Sequence, residues 1–453
     1  MRLAVIGNGM AGSRLARRTA EAGMAVTVFA AEASAAYNRV LLSEYVGGTG
    51  TRESITLPSL PGSVDLRTST EAAVLDAESL TVDGEEFDAV VLATGARPVL
   101  PPIPGLDREA ERVFTLRDIE DAEAIKTAAS RSGRAVVLGG GLLGLEAARG
   151  LAASGLAVTV VHAAPHLLER QVDPDGGEMV RRAYAELGVE SVCDAMTARV
   201  EASSDGVALH LADGRAVEGD FLVVSCGVAP NTGLAADAGL EVGRGVVIDD
   251  HCRTSAEGVF AIGDCAEHEG IAYGLVEPAW EQADVVAAYL MSDPDEPRFT
   301  GSDPILRLKA KGIELAAMGT VRADEAVSFA DPANNTYARL AVADGRLAGA
   351  VLVGDNPSVG EIVELYDTGA PLPANRRSLL LGRFETPRAA ESSDESLVCR
   401  CNNVTLGDLK SAHGEGCRTV EDLAAATAAT TGCGTCRADV AAFCRTAAEP
   451  AKA

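Results

Sequence analysis

Short apolar runs, each followed by a glycine loop and a helical stretch, occur twice in the first half of the chain in the same order. Residues 3–6 read as a strand that enters a G-x-G-x-x-G loop at Gly7, Gly9 and Gly12, and a second strand follows at 26–29. The design returns 132 positions later, where residues 135–138 lead into Gly139, Gly141 and Gly144, a helix to about 154, and a strand at 158–161. One such loop is a weak signal; two in a strand, turn and helix context are a strong one. Glycines let the backbone approach a pyrophosphate at a helix N-terminus, so two Rossmann-like sites imply two dinucleotides.

Further along, the apolar run 89–92 ends at Thr94 and Gly95, and another ends at Gly263 and Asp264. Both read as strand ends that meet a cofactor. Alternating runs at 337–342 and 347–353 flank Asp344-Gly345, a turn signal between strands in a small α+β unit. Residues 385–396, with Pro387 and several serines and acids, read as a linker.

Beyond the linker, Cys399 and Cys401 form a C-x-C, and after a gap of 31 residues Cys433 and Cys436 form a C-x-x-C. Four thiolates suit a 2Fe-2S cluster, or a single tetrahedral Zn²⁺ or Fe. The first pair spans one residue, Arg400, a tighter bite than the usual zinc knuckle, which favours an iron-sulfur centre over zinc. Thr405 with Asp408 and Thr419 with Asp422 read as capping boxes that start short helices, and the second cysteine pair precedes a third. Helix N-termini turned towards the cysteines would stabilise an anionic cluster.

A chain of 453 residues that is 47% hydrophobic can bury several cores, so three or four domains are expected. The formal net charge of −27, from 66 acidic and 39 basic residues, argues against nucleic-acid binding and for an acidic solvated surface. Six other cysteines (Cys193, Cys226, Cys252, Cys265, Cys417 and Cys444) show no paired pattern, which suits a reducing compartment, the cytoplasm. The N-terminus runs straight into the glycine loop without a signal-peptide core, and no apolar run is long enough to span a membrane.

Taken in series, the two glycine loops, Thr94-Gly95 and Gly263-Asp264 resemble the FAD-dependent pyridine nucleotide reductases. That resemblance implies an α/β fold with two glutathione-reductase-like Rossmann domains, a small α+β interface domain and a small helical iron-sulfur domain. FAD would occupy residues 1–115 and 236–300, NAD(P)H 116–235, the interface domain 301–384 and the cluster domain 397–446. Asp264 would bond the flavin ribityl chain. Glu32, Tyr37, Arg39, Leu42 and Ser43 resemble the stretch by which rubredoxin and ferredoxin reductases, and the flavin part of assimilatory nitrite reductase, contact FAD. Glu32 would then take the ribose and Arg39 a phosphate. Glu277 and Trp280 resemble the segment beside the flavin ring, and Glu146 matches a flavin-adjacent acid whose usual lysine partner is replaced here by Glu44. His162 stands where an acid would favour NAD and an arginine NADP, with Arg170 near enough in sequence to assist a phosphate. The cysteine pairs of disulfide and thioredoxin reductases have no counterpart, so dithiol chemistry is not expected. Residues 397–445 resemble the bacterioferritin-associated ferredoxin family, in which the four cysteines hold a 2Fe-2S cluster.

The resemblance implies that NAD(P)H reduces FAD and that electrons leave singly through the cluster. The whole chain is similar to the electron-transfer subunit of bacterial assimilatory nitrate reductase. Its expected partner is a molybdenum-containing catalytic subunit, with a nitrite reductase or another one-electron acceptor as the variant, and a homodimer is possible. Assimilatory nitrite reductase continues into a sirohaem module, whereas this sequence stops soon after the cysteines. An FAD/2Fe-2S subunit of an amine or amino-acid dehydrogenase, a rubredoxin or ferredoxin reductase, and a redox-sensing or iron-release partner are the alternatives.

Overall fold

Parallel strands covered on both faces need apolar residues at successive positions, and both glycine-loop units meet that need. In a computed structural model, which describes residues 1–292, 297–308, 312–323, 325–381 and 393–448, Arg2–Ile6 and Arg134–Leu138 expose only their first residue. Each lies at the centre of a five-stranded parallel sheet. The first sheet runs Val259–Ala261, Ala89–Leu92, Arg2–Ile6, Ala25–Phe29, Asp65–Arg67. The second runs Val189–Val192, Ala157–Val161, Arg134–Leu138, Phe221–Val224, Val113–Thr115. Leu3 faces Val26 and Ala135 faces Val158, so the sequence repeat is also a repeat of register.

The first sheet takes its edge strand from residues 259–261, after the second sheet is complete, and the chain therefore crosses between the units twice. The crossings pair with each other as antiparallel strands Ala96–Pro98 and Val228–Pro230. Helix Val276–Leu290 then packs beside helix Met10–Glu21 on the first sheet. A three-stranded antiparallel sheet over residues 197–219 covers one face of the second.

Strands Leu306–Arg307, Leu315–Gly319, Glu325–Asp331, Thr336–Ala343 and Arg346–Val353 form a five-stranded antiparallel sheet backed by helix Val359–Thr368. Strands Thr336–Ala343 and Arg346–Val353 are joined at Asp344-Gly345, whose φ values of 49° and 71° give the left-handed two-residue turn that suits strand twist. Both anticipated capping boxes form, at Thr405 with Asp408 and at Thr419 with Asp422, each contributing about 1 kcal/mol to its helix. They start helices Leu406–Gly414 and Val420–Thr427, and Arg437–Ala448 follows the last cysteine. The anticipated linker falls for residues 385–392 outside the described residues. The fold is α/β with two Rossmann-like units, a small α+β unit and a small helical one. Among the described residues no helix is long and apolar enough to cross a membrane.

Candidate functional site

A helix whose first turn lacks a side-chain cap leaves N–H groups free for an anion. Helices Met10–Glu21 and Leu142–Ala153 both start this way, at Gly9 and Gly141, with no side-chain cap and no acid in the first turn. By contrast, Asp118 and Asp173 cap helices Ile119–Ala129 and Pro174–Glu186 with their side chains. In the first loop Gly7 has φ 118°, and a Cβ there would overlap the Ala93 carbonyl oxygen; one at Gly12 would overlap the Gly7 carbonyl. A Cβ on Gly9, in contrast, would come within 4.0 Å of Arg39 Nε alone, which keeps the mouth of the loop open.

Gly7, Gly9, Glu32, Arg39, Thr94 and Asn231 line one cavity of about 410 Å³. Asn8 Oδ1 and Ser34 Oγ, also in its walls, are buried without a partner, as groups that await a polar ligand would be. The residues present fit a dinucleotide. Tyr37 donates to Glu32 Oε2 at 2.7 Å, and Arg39 pairs with the other oxygen of Glu32 while stacking on the Tyr37 ring. Burial pushes the Tyr37 phenol well above its ordinary range, so it remains a donor that orients Glu32.

Two contacts that the sequence did not suggest complete this region. Thr94 Oγ1 donates to the Asn231 carbonyl at 2.7 Å, and Asn231 returns bonds to the carbonyls of Thr94 and Gly95 at 2.9 Å each, clasping the two crossings together. Arg117 Nη2 donates to Asp264 Oδ2 at 2.7 Å, and the adjacent Gly263 N–H donates to buried Gln282 at 2.7 Å. Nothing local marks Arg117 or Asn231, because their partners lie 147 and 137 positions away. Ser43 Oγ donates to buried Glu146 at 3.2 Å, which brings two expected site residues together across the two units.

The second loop repeats the first at Gly139, with φ 119° and the Ser225 carbonyl in place of Ala93, and at Gly144, whose Cβ would overlap the Gly139 carbonyl. A Cβ on Gly141 would meet nothing within 4 Å, which leaves the same open mouth for a second dinucleotide. His162 is buried and engaged at both ring nitrogens: Gly140 N–H donates to Nδ1 at 3.1 Å, and Nε2 lies 2.9 Å from Glu169 Oε2. Because Nδ1 accepts, Nε2 carries the proton and donates to Glu169. His162 thus supports the loop from behind and holds a carboxylate in place, a role its position in sequence did not reveal. Arg170 is 83% exposed.

The four cysteines converge. Cys399 and Cys401 sulfurs are 3.7 Å apart, Cys401 and Cys433 3.8 Å, and Cys436 hydrogen-bonds Cys399. Bonds from Cys401 and Cys436 favour a thiolate at Cys399, and the Cys433 N–H and the Asn402 amide donate to the Cys401 and Cys399 sulfurs. Among the described residues no group of three His, Cys, Asp or Glu side chains is arranged to hold a single metal ion. The donor set itself, four soft sulfurs supported by N–H groups, fits an iron-sulfur cluster. Cys399, Cys401 and Cys436 share an apolar cluster with Met10 and Trp280, whose indole N–H donates to the Met10 carbonyl at 3.1 Å. A Cβ on Gly432 would lie 2.5 Å from Cys401 Sγ and 2.6 Å from the Trp280 ring, so only glycine lets these two approach. Glu277 is ion-paired with Arg400 at 3.2 Å.

Two dinucleotide loops and a four-thiolate domain packed against the first of them define a flavoprotein electron-transfer oxidoreductase. The chain belongs to the pyridine nucleotide-disulphide oxidoreductase family, which it matches over residues 1–285. It also matches the C-terminal domain of rubredoxin NAD+ reductase over 304–369 and the BFD-like [2Fe-2S] binding domain over 397–443. Membership brings FAD and NAD(P)H to the first region and a 2Fe-2S cluster to the last.

Among its relatives, a nitrite reductase [NAD(P)H] of Bacillus subtilis is 33% identical over 96% of this chain and 56% of that protein. The assimilatory nitrate reductase electron transfer subunit of the same organism is 30% identical over 96% of this chain and 58% of that protein. The chain thus spans little more than half the length of these relatives. A ferredoxin reductase of Rhodopseudomonas palustris superposes with a TM-score of 0.70 at 27% identity, over 78% of this chain and 91% of that one.

Proposed function

We propose that this chain takes electrons from NAD(P)H and delivers them singly to a separate protein, the molybdenum-containing catalytic subunit of an assimilatory nitrate reductase. The observation that carries the reading is the packing of the cysteine loop, through Gly432, on Trp280 and Met10 at the mouth of the first glycine loop. A cluster held there would sit beside the flavin-binding elements. FAD supplies the exchange between a two-electron donor, NAD(P)H, and a one-electron carrier, the 2Fe-2S cluster.

On this reading residues 1–115 with 236–300 hold FAD, 116–235 hold NAD(P)H, 301–384 form the interface domain and 397–446 the cluster domain. Gly7, Gly9 and Gly12 admit the FAD pyrophosphate, Glu32 and Arg39 bind its adenosine and phosphate, and Thr94, Gly95, Gly263 and Asp264 bind its remaining length. Ser43, Glu146, Glu277 and Trp280 border the flavin. Gly139, Gly141, Gly144 and His162 serve the nicotinamide nucleotide. Cys399, Cys401, Cys433 and Cys436 ligate the irons. The protein would work in the cytoplasm, and a homodimer is compatible with it.

The nitrite reductase relative, at 33% identity, favours a second reading in which the acceptor reduces nitrite. Anaerobic mixing with NADH or NADPH should bleach the flavin band and drive rapid reduction of a one-electron dye. Absence of bleaching with either nucleotide would overturn the reading. Adding a nitrate reductase catalytic subunit with nitrate, and separately a nitrite-reducing module with nitrite, then separates the two acceptors by which one reoxidises the protein.

A further inference from the structure

Arg400 stands between two cysteines of the cluster loop and reaches out of it in two directions. Its Nε lies 3.2 Å from Glu277 Oε1, in the first turn of helix Val276–Leu290. Its Nη1 lies 2.5 Å from Asp367 Oδ1, near the end of helix Val359–Thr368. The three side chains are only 23%, 14% and 23% exposed. Two carboxylates drawn together out of water repel unless a cation stands between them, and a planar guanidinium can serve both at once where an ammonium serves one point.

The rest of the seam combines the apolar cluster of Met10, Trp280 and the cysteines with a few polar contacts. Arg14 donates to Asn402 at 3.0 Å and Asn38 to the Thr431 carbonyl at 3.2 Å, while Trp280 meets Gly432. On the other side of Arg400 a cleft of about 1630 Å³ opens between His166 of the second unit, Asp303, Arg322, Tyr366 and Asp367 near the antiparallel sheet, and Arg400 itself. Leu397 and Arg400 are the cluster-domain residues in its walls, and the Arg400–Asp367 ion pair joins that domain to the antiparallel one there.

We propose that Arg400 is a positioning residue that clamps the cysteine loop at once to the flavin-side helix through Glu277 and to the antiparallel domain through Asp367. The clamp keeps the cluster at its electron-delivery distance. It rests on the functional reading above, and its test separates the two.

The experiment uses the full-length holoprotein with Arg400→Ala, Arg400→Lys and Asp367→Asn. Under anaerobic rapid mixing, flavin bleaching by NAD(P)H and cluster reduction, followed by its paramagnetic signal, are timed separately, and hydrogen exchange is mapped over residues 275–290 and 397–408. Removing one partner of a desolvated charge pair loosens the docked state, so R400A should slow cluster reduction about tenfold. Its flavin should bleach at the unaltered rate, and exchange should rise on both sides of the seam. R400K should recover part of the delay, and D367N should slow cluster reduction by roughly twofold to threefold. An R400A protein with unaltered cluster reduction and unaltered exchange overturns the clamp. If R400A does not retain iron, D367N decides: unaltered delivery and exchange overturn it. Should the unsubstituted protein fail to bleach or to reduce its cluster, the functional reading falls, and exchange alone still decides whether Arg400 holds the seam.

Discussion

The two glycine loops are the same object at the backbone and different objects at the side chains. Gly7 and Gly139 share φ values of 118° and 119°, and both are overlaid by a carbonyl, of Ala93 and Ser225. The Gly7 N–H donates to Phe29 and that of Gly139 to Val161, at 2.8 and 2.9 Å. Divergence starts one residue later. Asn8 presents an unpartnered oxygen in the first loop, whereas in the second Gly140 is pressed against His162, leaving no room for a side chain. The first loop is bordered by the Glu32, Tyr37 and Arg39 network, and the second by the His162–Glu169 pair. The common backbone suits a pyrophosphate, which every dinucleotide has; the side chains beyond it are where two nucleotides can be told apart.

The largest effects should come from the shared glycines. Gly7→Ala and Gly139→Ala each force a Cβ into a carbonyl at positive φ, at a cost of about 3 kcal/mol or more. G7A should lose flavin absorbance, whereas G139A should retain flavin yet lose bleaching by NAD(P)H. The visible spectrum with a urea midpoint reads both, and the reverse pattern would exchange the two assignments.

A smaller change should come from His162→Ala, which orphans the Gly140 N–H and frees Glu169, at a cost of about 1–3 kcal/mol. Nucleotide titration followed by flavin bleaching should show a raised KM with flavin content intact. Equal loss of both cofactors would mean that the pair supports the fold and not the second site.

The mildest contrast is between Thr94 and its counterpart Cys226. Thr94 clasps Asn231, whereas Cys226 donates weakly to the Leu138 carbonyl at 3.5 Å, and burial pushes its thiol up to about 11. At pH 8 its thiolate fraction is then roughly a hundredfold below that of an ordinary thiol, and alkylation mapped by mass should lag accordingly. The linkage has a definite sign: the unfolded chain releases this proton first, so stability falls as pH rises from 9 towards 11. Rapid labelling at pH 8 in the folded protein would show that the site is open.

Local patterns announced much of this molecule. Capping boxes at Thr405 and Thr419, the Asp344-Gly345 turn, the strands around each loop and the spacing within each cysteine pair all act over a few residues, where sequence neighbours are spatial neighbours. The crossing of the chain between units followed from resemblance, not from any local pattern, and the order of the strands came only with the fold.

What the amino-acid order by itself determined was the repeated loop geometry and the supply of sulfur ligands, because a glycine's freedom and a thiol's chemistry belong to the residue. Tertiary structure alone decided who meets whom. Arg117 reaches Asp264 across 147 positions, Arg400 reaches Glu277 across 123, and His162 turns behind its loop towards Glu169. Charged side chains are compatible with many partners, and only the folded backbone, by removing them from water together, selects one.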